Sequence, residues 1–279
     1  GENEWRLMFG VEVIPAGLYA LAVFFVPKSP RWLLMKGRND EAKQVLARTH
    51  PNEDHSKIIA ELSTTGVKKE SIFKRIYRRP FFLVFFIAFF NQFSGINAFL
   101  YYGPRIFEDA GLQSEAAFLS SIGVGIVNVV FTIVGMLLID KVGRKVLMYI
   151  GSAGYIISLS LVALAFHFGW GGLAIPILFL AFIASHAIGQ GAVIWVFLAE
   201  LFPNNLRASG QALGSTVHWI LAAFIPALMP FMMGTIGAAV VFGFFAVMMV
   251  GQLIWVITMM PETKGKNLEE ISKDLKLDS

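Results

Sequence analysis

Cysteine is absent from the 279 residues, which removes disulfides and thiolate metal sites from consideration. Charge is scarce: Asp, Glu, Lys and Arg make up 15% of the chain, where roughly 25% is usual for a soluble domain. The shortage is also uneven. Pro80–Pro104, Ala116–Ile139, Val146–Ala199 and Ala208–Pro261 contain no Asp, Glu, Lys or Arg at all. With AVILMFWYC at 56% and a mean hydropathy of +0.65, a water-soluble globule would have more apolar surface than its core could hide. The alternating segments of about ten residues that build a membrane β-barrel are missing too. Runs such as Phe81–Phe90 are continuously apolar.

What is present has helix length. One bilayer crossing needs about 20 apolar residues. The first two charge-free runs hold one crossing each, and each of the two 54-residue runs holds two. A seventh fits Leu7–Val26, although it carries Glu12. The expected spans are Leu7–Val26, Phe81–Tyr102, Ala116–Ile139, Val146–Phe168, Leu173–Ala199, Ala208–Met233 and Thr235–Met260. The long runs break at Gly169-Trp170-Gly171-Gly172 and near Gly234. The chain opens on Gly rather than Met and reads as a cut piece of a longer protein.

Basic residues set the orientation. With Val26–Pro80 placed inside, 21 of the 23 Lys and Arg fall on the inner side, leaving only Arg6 and Arg105 outside. The net charge of +4 is thereby read as membrane topology, not as a nucleic-acid footprint, and the C-terminus is expected in the cytoplasm. The inner segment Lys28–Arg79 carries a capped amphipathic helix at Asn39–Arg48, a short helix at His55–Leu62 and a basic amphipathic stretch at Ser71–Arg79. That stretch suits a helix lying on anionic headgroups. The tail Leu268–Leu277 alternates charge and reads as a solvated helix.

Polar side chains inside hydrocarbon are costly unless they face protein or water. Phe81–Tyr102 is the richest span, with Asn91, Gln92, Ser94, Asn97, Tyr101 and Tyr102 around Gly95. Uncharged amides can hydrogen-bond the hydroxyls of a neutral polyol while doing no acid–base chemistry. Gly95 and Gly103-Pro104 would let the helix bend or unwind. Asn128 lies mid-span, Trp195 late in its span, and His218-Trp219 in the next. Indole faces beside amides suit a pyranose; the alternative is amides that glue helices together. His186 and His218 are mid-membrane; a proton relay is one reading, and hydrogen bonding or helix packing is favoured because no acid lies deep beside them. Glu200 and Arg207 flank one inner turn, and Asp140, Arg144 and Lys145 form another. Such a set makes an ion-pair network that can break and re-form.

Several stretches coincide in order along the chain: Pro27-Lys28-Ser29-Pro30-Arg31-Trp32-Leu33, Asn91 through Asn97, Tyr101-Tyr102, Asp140 through Lys145, Trp195 through Pro203, Arg207, and Pro261-Glu262-Thr263-Lys264-Gly265. On these the chain resembles the C-terminal half of a sugar porter of the major facilitator superfamily. The resemblance implies an all-α integral membrane protein: half of a major facilitator fold, with about seven transmembrane helices plus an intracellular helical segment. The division would be a helix over 1–27, an intracellular linker domain over 28–79, a six-helix bundle over 80–261 and a cytoplasmic tail over 262–279. It also implies a missing N-terminal bundle and alternating access. By position, Gln92, Asn97, Asn128 and Trp195 match sugar-holding residues, Trp219 matches a sugar-site aromatic, and His218 replaces the amide before it. Tyr101 and Tyr102 match an outer gate; Asp140, Arg144, Lys145, Glu200 and Arg207 match an inner ion-pair lock. Asn91 stands where a Gln is usual, Lys28 where an acid is usual, and Gly189-Gln190-Gly191-Ala192-Val193-Ile194 lacks the family's helix-bending prolines.

The function these residues imply is transport of a monosaccharide, hexose or pentose, with sugar/proton symport preferred over a uniporter. The acid used for coupling in the family sits on the first helix, which this chain does not contain. No cofactor or metal is expected beyond a proton as coupling ion; the expected partners are sugar, membrane lipid and the missing bundle. A bacterial inner membrane is the expected location. The alternatives are a sugar receptor that binds without translocating, a membrane enzyme, for which no nucleophile or metal constellation appears, and an organic-acid carrier, which would want a cation in the cavity.

Overall fold

The computed structural model describes residues 6, 10–51, 54–56, 59, 71–203, 205–275 and 277. They fall into two compact units, residues 1–68 and 69–279. In the first, α1 (Val13–Val23), α2 (Pro30–Met35) and α3 (Asn39–Thr49) are helical. α1 is an 11-residue apolar helix, and residues 7–9 of the span expected there lie outside the described ones. α3 buries Ala42 and Leu46, one turn apart on one face. The short helix expected at His55–Leu62 lies mostly outside the described residues.

The second unit is a helical bundle built from α4 (Arg78–Phe93), α5 (Ile96–Asp109), α6 (Ser114–Val142), α7 (Arg144–Phe168), α8 (Ala174–His186), α9 (Ala192–Glu200), α10 (Arg207–Ile236), α11 (Ala238–Thr258) and α12 (Leu268–Asp274). Among the described residues, six helical stretches are long and apolar enough to cross a membrane: 75–109, 114–142, 144–168, 174–200, 207–236 and 238–258. α7 packs along α11 and α8, and α10 along α4.

Phenylalanines four residues apart stack along α4, with ring centroids 6.2 Å apart for Phe82–Phe86, 6.0 Å for Phe86–Phe90 and 4.2 Å for Phe89–Phe93. Neighbours at this spacing share one helix face, so a stacked ladder leads up to the amides at its end. There the helix breaks. Gly95 takes φ +80°, open to Gly without the steric cost a side chain meets, and a Cβ there would sit 2.6 Å from the Phe245 ring. Ser94 Oγ donates to Asn91 O at 2.6 Å and accepts from Ile96 N at 3.3 Å, satisfying backbone groups that the break sets free.

Three expectations are corrected. α5 runs unbroken through Gly103-Pro104, so the interruption is confined to Ser94-Gly95; a proline removes one ladder bond, and α5 tolerates that loss. The second long run reverses at Gly237, not near Gly234, which stays helical. The tail is not a helix solvated on all sides. α12 is closed by a capping box between Asn267 and Glu270, and Ile271, Leu275 and Leu277 are buried in the bundle's core.

The helix is interrupted where the prolines are missing. α8 passes into α9 through a single π-helical turn, Ala187–Gly191. Such a turn interrupts the i→i−4 ladder without any proline. Opposite it the backbones come close: a Cβ on Gly189 would lie 2.8 Å from Gly151 Cα. Small residues at a crossing permit that approach in membrane bundles.

Candidate functional site

α4, α5, α6, α9 and α10 converge on a cavity of about 250 Å3. All seven residues singled out for binding line it: Asn91 and Gln92 from α4, Asn97 from α5, Asn128 from α6, Trp195 from α9, and His218 and Trp219 from α10. Ile96, Leu100, His186, Gly191 and Ile194 complete the wall, and no Lys or Arg is among them. Asn91 and Gln92 are almost fully buried, at 2% and 1% exposure, while Trp195 and Trp219 keep 45% and 60%. The amides therefore form the floor and the indoles an open rim.

Asn91, Gln92 and Asn97 are linked by hydrogen bonds. Gln92 Nε2 donates to Asn91 Oδ1 at 2.9 Å and lies 3.2 Å from His218 Nδ1; Asn97 Nδ2 donates to Gln92 Oε1 at 3.0 Å. The His218 ring sits between the two indoles, 5.1 Å from Trp195 and 5.0 Å from Trp219 between centroids. His186 meets the Tyr155 hydroxyl through Nδ1, the hydrogen-bonding role favoured for it on sequence. Gln190, whose role the sequence left open, accepts from Asn91 Nδ2 at 3.1 Å.

The two tyrosines do not join this cavity. Tyr101 is 62% exposed. Tyr102 lines a second cavity of about 420 Å3 with Arg105, Asp109 and Met233. The two positions lie about 100° apart around α5, and here that offset turns only Tyr102 toward the second cavity.

At the other end of the spans an ionic cluster forms. Arg144 Nη1 lies 2.9 Å from Asp140 Oδ1 and Nη2 lies 2.8 Å from Glu200 Oε1. Lys145 enters differently than expected: its ammonium donates to Ile257 O at 3.4 Å, and its backbone N–H donates to Glu262 Oε2 at 2.9 Å. Arg207 opens α10 and is half-buried. Two participants were not singled out from the sequence. Glu262 also accepts from the backbone N–H of Arg144 at 3.1 Å, so its carboxylate caps the positive end of α7. Thr263 Oγ1 donates to Glu200 Oε2 at 2.6 Å. Both lie in Pro261-Glu262-Thr263-Lys264-Gly265, the one charged stretch directly after the final span, which was the available signal. Gly143 makes room for the cap: it takes φ +103°, and a Cβ there would lie 2.6 Å from Glu262 Oε2.

Membrane-length helices around an uncharged polar cavity, with an ionic cluster at one end of the bundle, define a polytopic membrane protein with a polar pocket between its helices. Residues 1–275 match the profile of the family described as Sugar (and other) transporter, and the chain belongs to that family. It is 37% identical over 275 residues to the arabinose-proton symporter of Bacillus subtilis (strain 168), covering 96% of this chain and 59% of that protein. It is 32% identical over 278 residues to the D-xylose-proton symporter of Escherichia coli (strain K12), covering 96% and 57%. Among solved structures, the major facilitator superfamily proton:xylose symporter XylE bound to 6-bromo-6-deoxy-D-glucose matches with a TM-score of 0.85 and 30% identity, covering 97% of this chain and 59% of that one. The inward open conformation of the E. coli xylose transporter XylE gives 0.70 at 30% identity, covering 96% and 56%. The chain thus spans about 60% of the length of these relatives, and its architecture is half of a major facilitator fold.

Proposed function

We propose that the intact protein carries a monosaccharide across the membrane by alternating access, as a sugar/proton symporter. One observation carries the reading: seven residues from five helices, separated by up to 128 positions in sequence, line a single uncharged cavity. At about 250 Å3 the cavity falls just below the roughly 300–1,000 Å3 of small-molecule pockets, as fits a site walled by one bundle and completed by another. Gln92, Asn97 and Asn128 would bond sugar hydroxyls, Trp195 and Trp219 would pack on C–H faces, and Asn91 and His218 would brace them. Pentose–proton symport by relatives at 32% and 37% identity supports a pentose or hexose and proton coupling.

In this reading residues 28–79 form the intracellular linker, 80–261 the transporting bundle and 262–279 a cytoplasmic tail, in a bacterial inner membrane. Tyr101 and Tyr102 close the outer path. Asp140, Arg144, Lys145, Glu200 and Arg207 hold the inner ends together until sugar binding lets them part. Reconstitution of the intact protein in vesicles tests it: sugar counterflow, and uptake driven by an imposed proton gradient, are expected. Binding without counterflow would refute transport, and counterflow indifferent to the gradient would refute symport.

A further inference from the structure

Five side-chain amides form an unbroken chain from the cavity into the interior, each donating to the next. Asn97 Nδ2 donates to Gln92 Oε1 at 3.0 Å, Gln92 Nε2 to Asn91 Oδ1 at 2.9 Å, and Asn91 Nδ2 to Gln190 Oε1 at 3.1 Å. Gln190 Nε2 then donates to Gln252 Oε1, and Gln252 Nε2 to Ser152 Oγ at 2.8 Å. The path crosses α5, α4, the π-helical turn, α11 and α7. Asn97 is half-buried at its open end, and Gln190, Gln252 and Ser152 have no exposure at all.

Gln190, Gln252 and Ser152 do not line the cavity. A polar chain in an apolar interior is costly unless every member is satisfied, and here the four amides from Gln92 to Gln252 each donate and accept within the chain. An amide has an oxygen end that accepts and a nitrogen end that donates. Flipping one reverses both of its bonds and forces its neighbours to flip, so the chain has two self-consistent directions. In the one present, Gln92 turns its nitrogen to His218, at 3.2 Å and 3.3 Å from the two ring nitrogens, and Asn97 keeps its oxygen free of Gln92. Reversed, Gln92 would turn oxygen to His218 and Asn97 would give its oxygen to Gln92, keeping an N–H free instead. A ligand hydroxyl at Asn97 would meet a donor in place of an acceptor.

We infer that Gln190, Gln252 and Ser152 are positioning residues that hold this direction and so decide which hydroxyl pattern of a neutral polyol the cavity accepts. The inference rests on the sugar-binding reading of the cavity. The π-helical turn is part of the device, since it carries Gln190 to a place where one amide reaches both α4 and α11.

The test uses the intact protein in vesicles with the transported sugar, its epimers and its single-deoxy analogues. Gln190→Met and Gln252→Met keep length and remove the amide. Each is expected to raise KM about tenfold, the scale of one lost hydrogen bond, with Vmax per folded transporter within about twofold. The preference between parent sugar and its analogues should narrow. Gln252→Glu, which when protonated keeps an acceptor for Gln190 and a donor for Ser152, should restore most of that preference. A merely structural role would lower folded protein and leave KM and the analogue ratios as they were; that result overturns the inference. Should the Met variants fail to reach the membrane, Ser152→Ala carries the same test with a smaller shift in the same direction, and no shift overturns it. A readout without sugar is a double-mutant cycle in thermal unfolding with Asn91→Ala and Gln252→Met. These two do not bond each other, so non-additive Tm shifts report the chain through Gln190, and additive shifts refute it. Absence of uptake by the parent protein counts against the sugar reading alone, because the cycle reads the chain in either case.

Discussion

Arg144 and Glu200 meet across α7 and α9 with Nη2 2.8 Å from Oε1, and their side chains are only 9% and 20% exposed. The other carboxylate on the guanidinium, Asp140, is 80% exposed. The two carboxylates should therefore contribute very differently, because solvent screens one pair and not the other.

Glu200→Gln is expected to cost about 2–3 kcal/mol, somewhat less than the ~3–5 kcal/mol of a fully stranded buried charge, since Asp140 stays in place. Asp140→Asn should cost under about 1 kcal/mol. Denaturant unfolding of the purified variants in detergent compares them; equal losses would contradict the burial argument.

Gly143 and Glu262 make a second pair whose effects depend on each other. Gly143→Ala forces a side chain into φ +103° and onto the Glu262 carboxylate, for a loss of about 2–4 kcal/mol. Glu262→Ala alone removes the cap of α7 and should cost about 1 kcal/mol. Combined, the two should cost less than their sum, because the clash disappears with the carboxylate. A strictly additive thermal-unfolding cycle would show that the cap and the glycine act separately.

For the cavity, Asn97→Ala is expected to raise the KM for sugar about three- to tenfold, the value of one hydrogen bond. Trp195→Ala should raise it about tenfold or more, with Trp195→Phe recovering part of the loss through its remaining aromatic face. Initial uptake rates at matched protein levels decide; unchanged KM in both Ala variants would remove these residues from the sugar contact.

The tail supplies a prediction away from the membrane-length helices. Ile271 is 3% exposed, and Ile271→Ala should cost about 2–4 kcal/mol as a core truncation. A tail that moved freely would lose nothing, and hydrogen exchange across 268–275 would already be fast in the parent.

Much of the site was legible because hydrocarbon leaves so few polar side chains to choose from. Asn91, Gln92, Asn97, Asn128, Trp195, His218 and Trp219 stood out against charge-free spans, and they share one cavity. Gln252 and Ser152 sit in the same kind of span without standing out, because one amide or hydroxyl in an apolar helix reads equally well as packing. Glu262 and Thr263 were seen as a motif but not as members of the ionic cluster. Their contacts reach back more than 60 residues, to Glu200 and the start of α7, and no local pattern encodes such a distance.

The amino-acid order alone determined that the chain crosses a membrane, about where six of the crossings lie, that Gly95 is a place where a helix can break, and which uncharged groups are available to a ligand. These follow from the cost of charge and free backbone in hydrocarbon, a property of each segment taken singly. Only the assembled bundle decided which space each of Tyr101 and Tyr102 faces, that the tail packs into the core, and that five amides run head to tail through Gln190. Those outcomes depend on which faces meet once helices far apart in sequence pack together, and directional hydrogen bonds are chosen only after that packing is set.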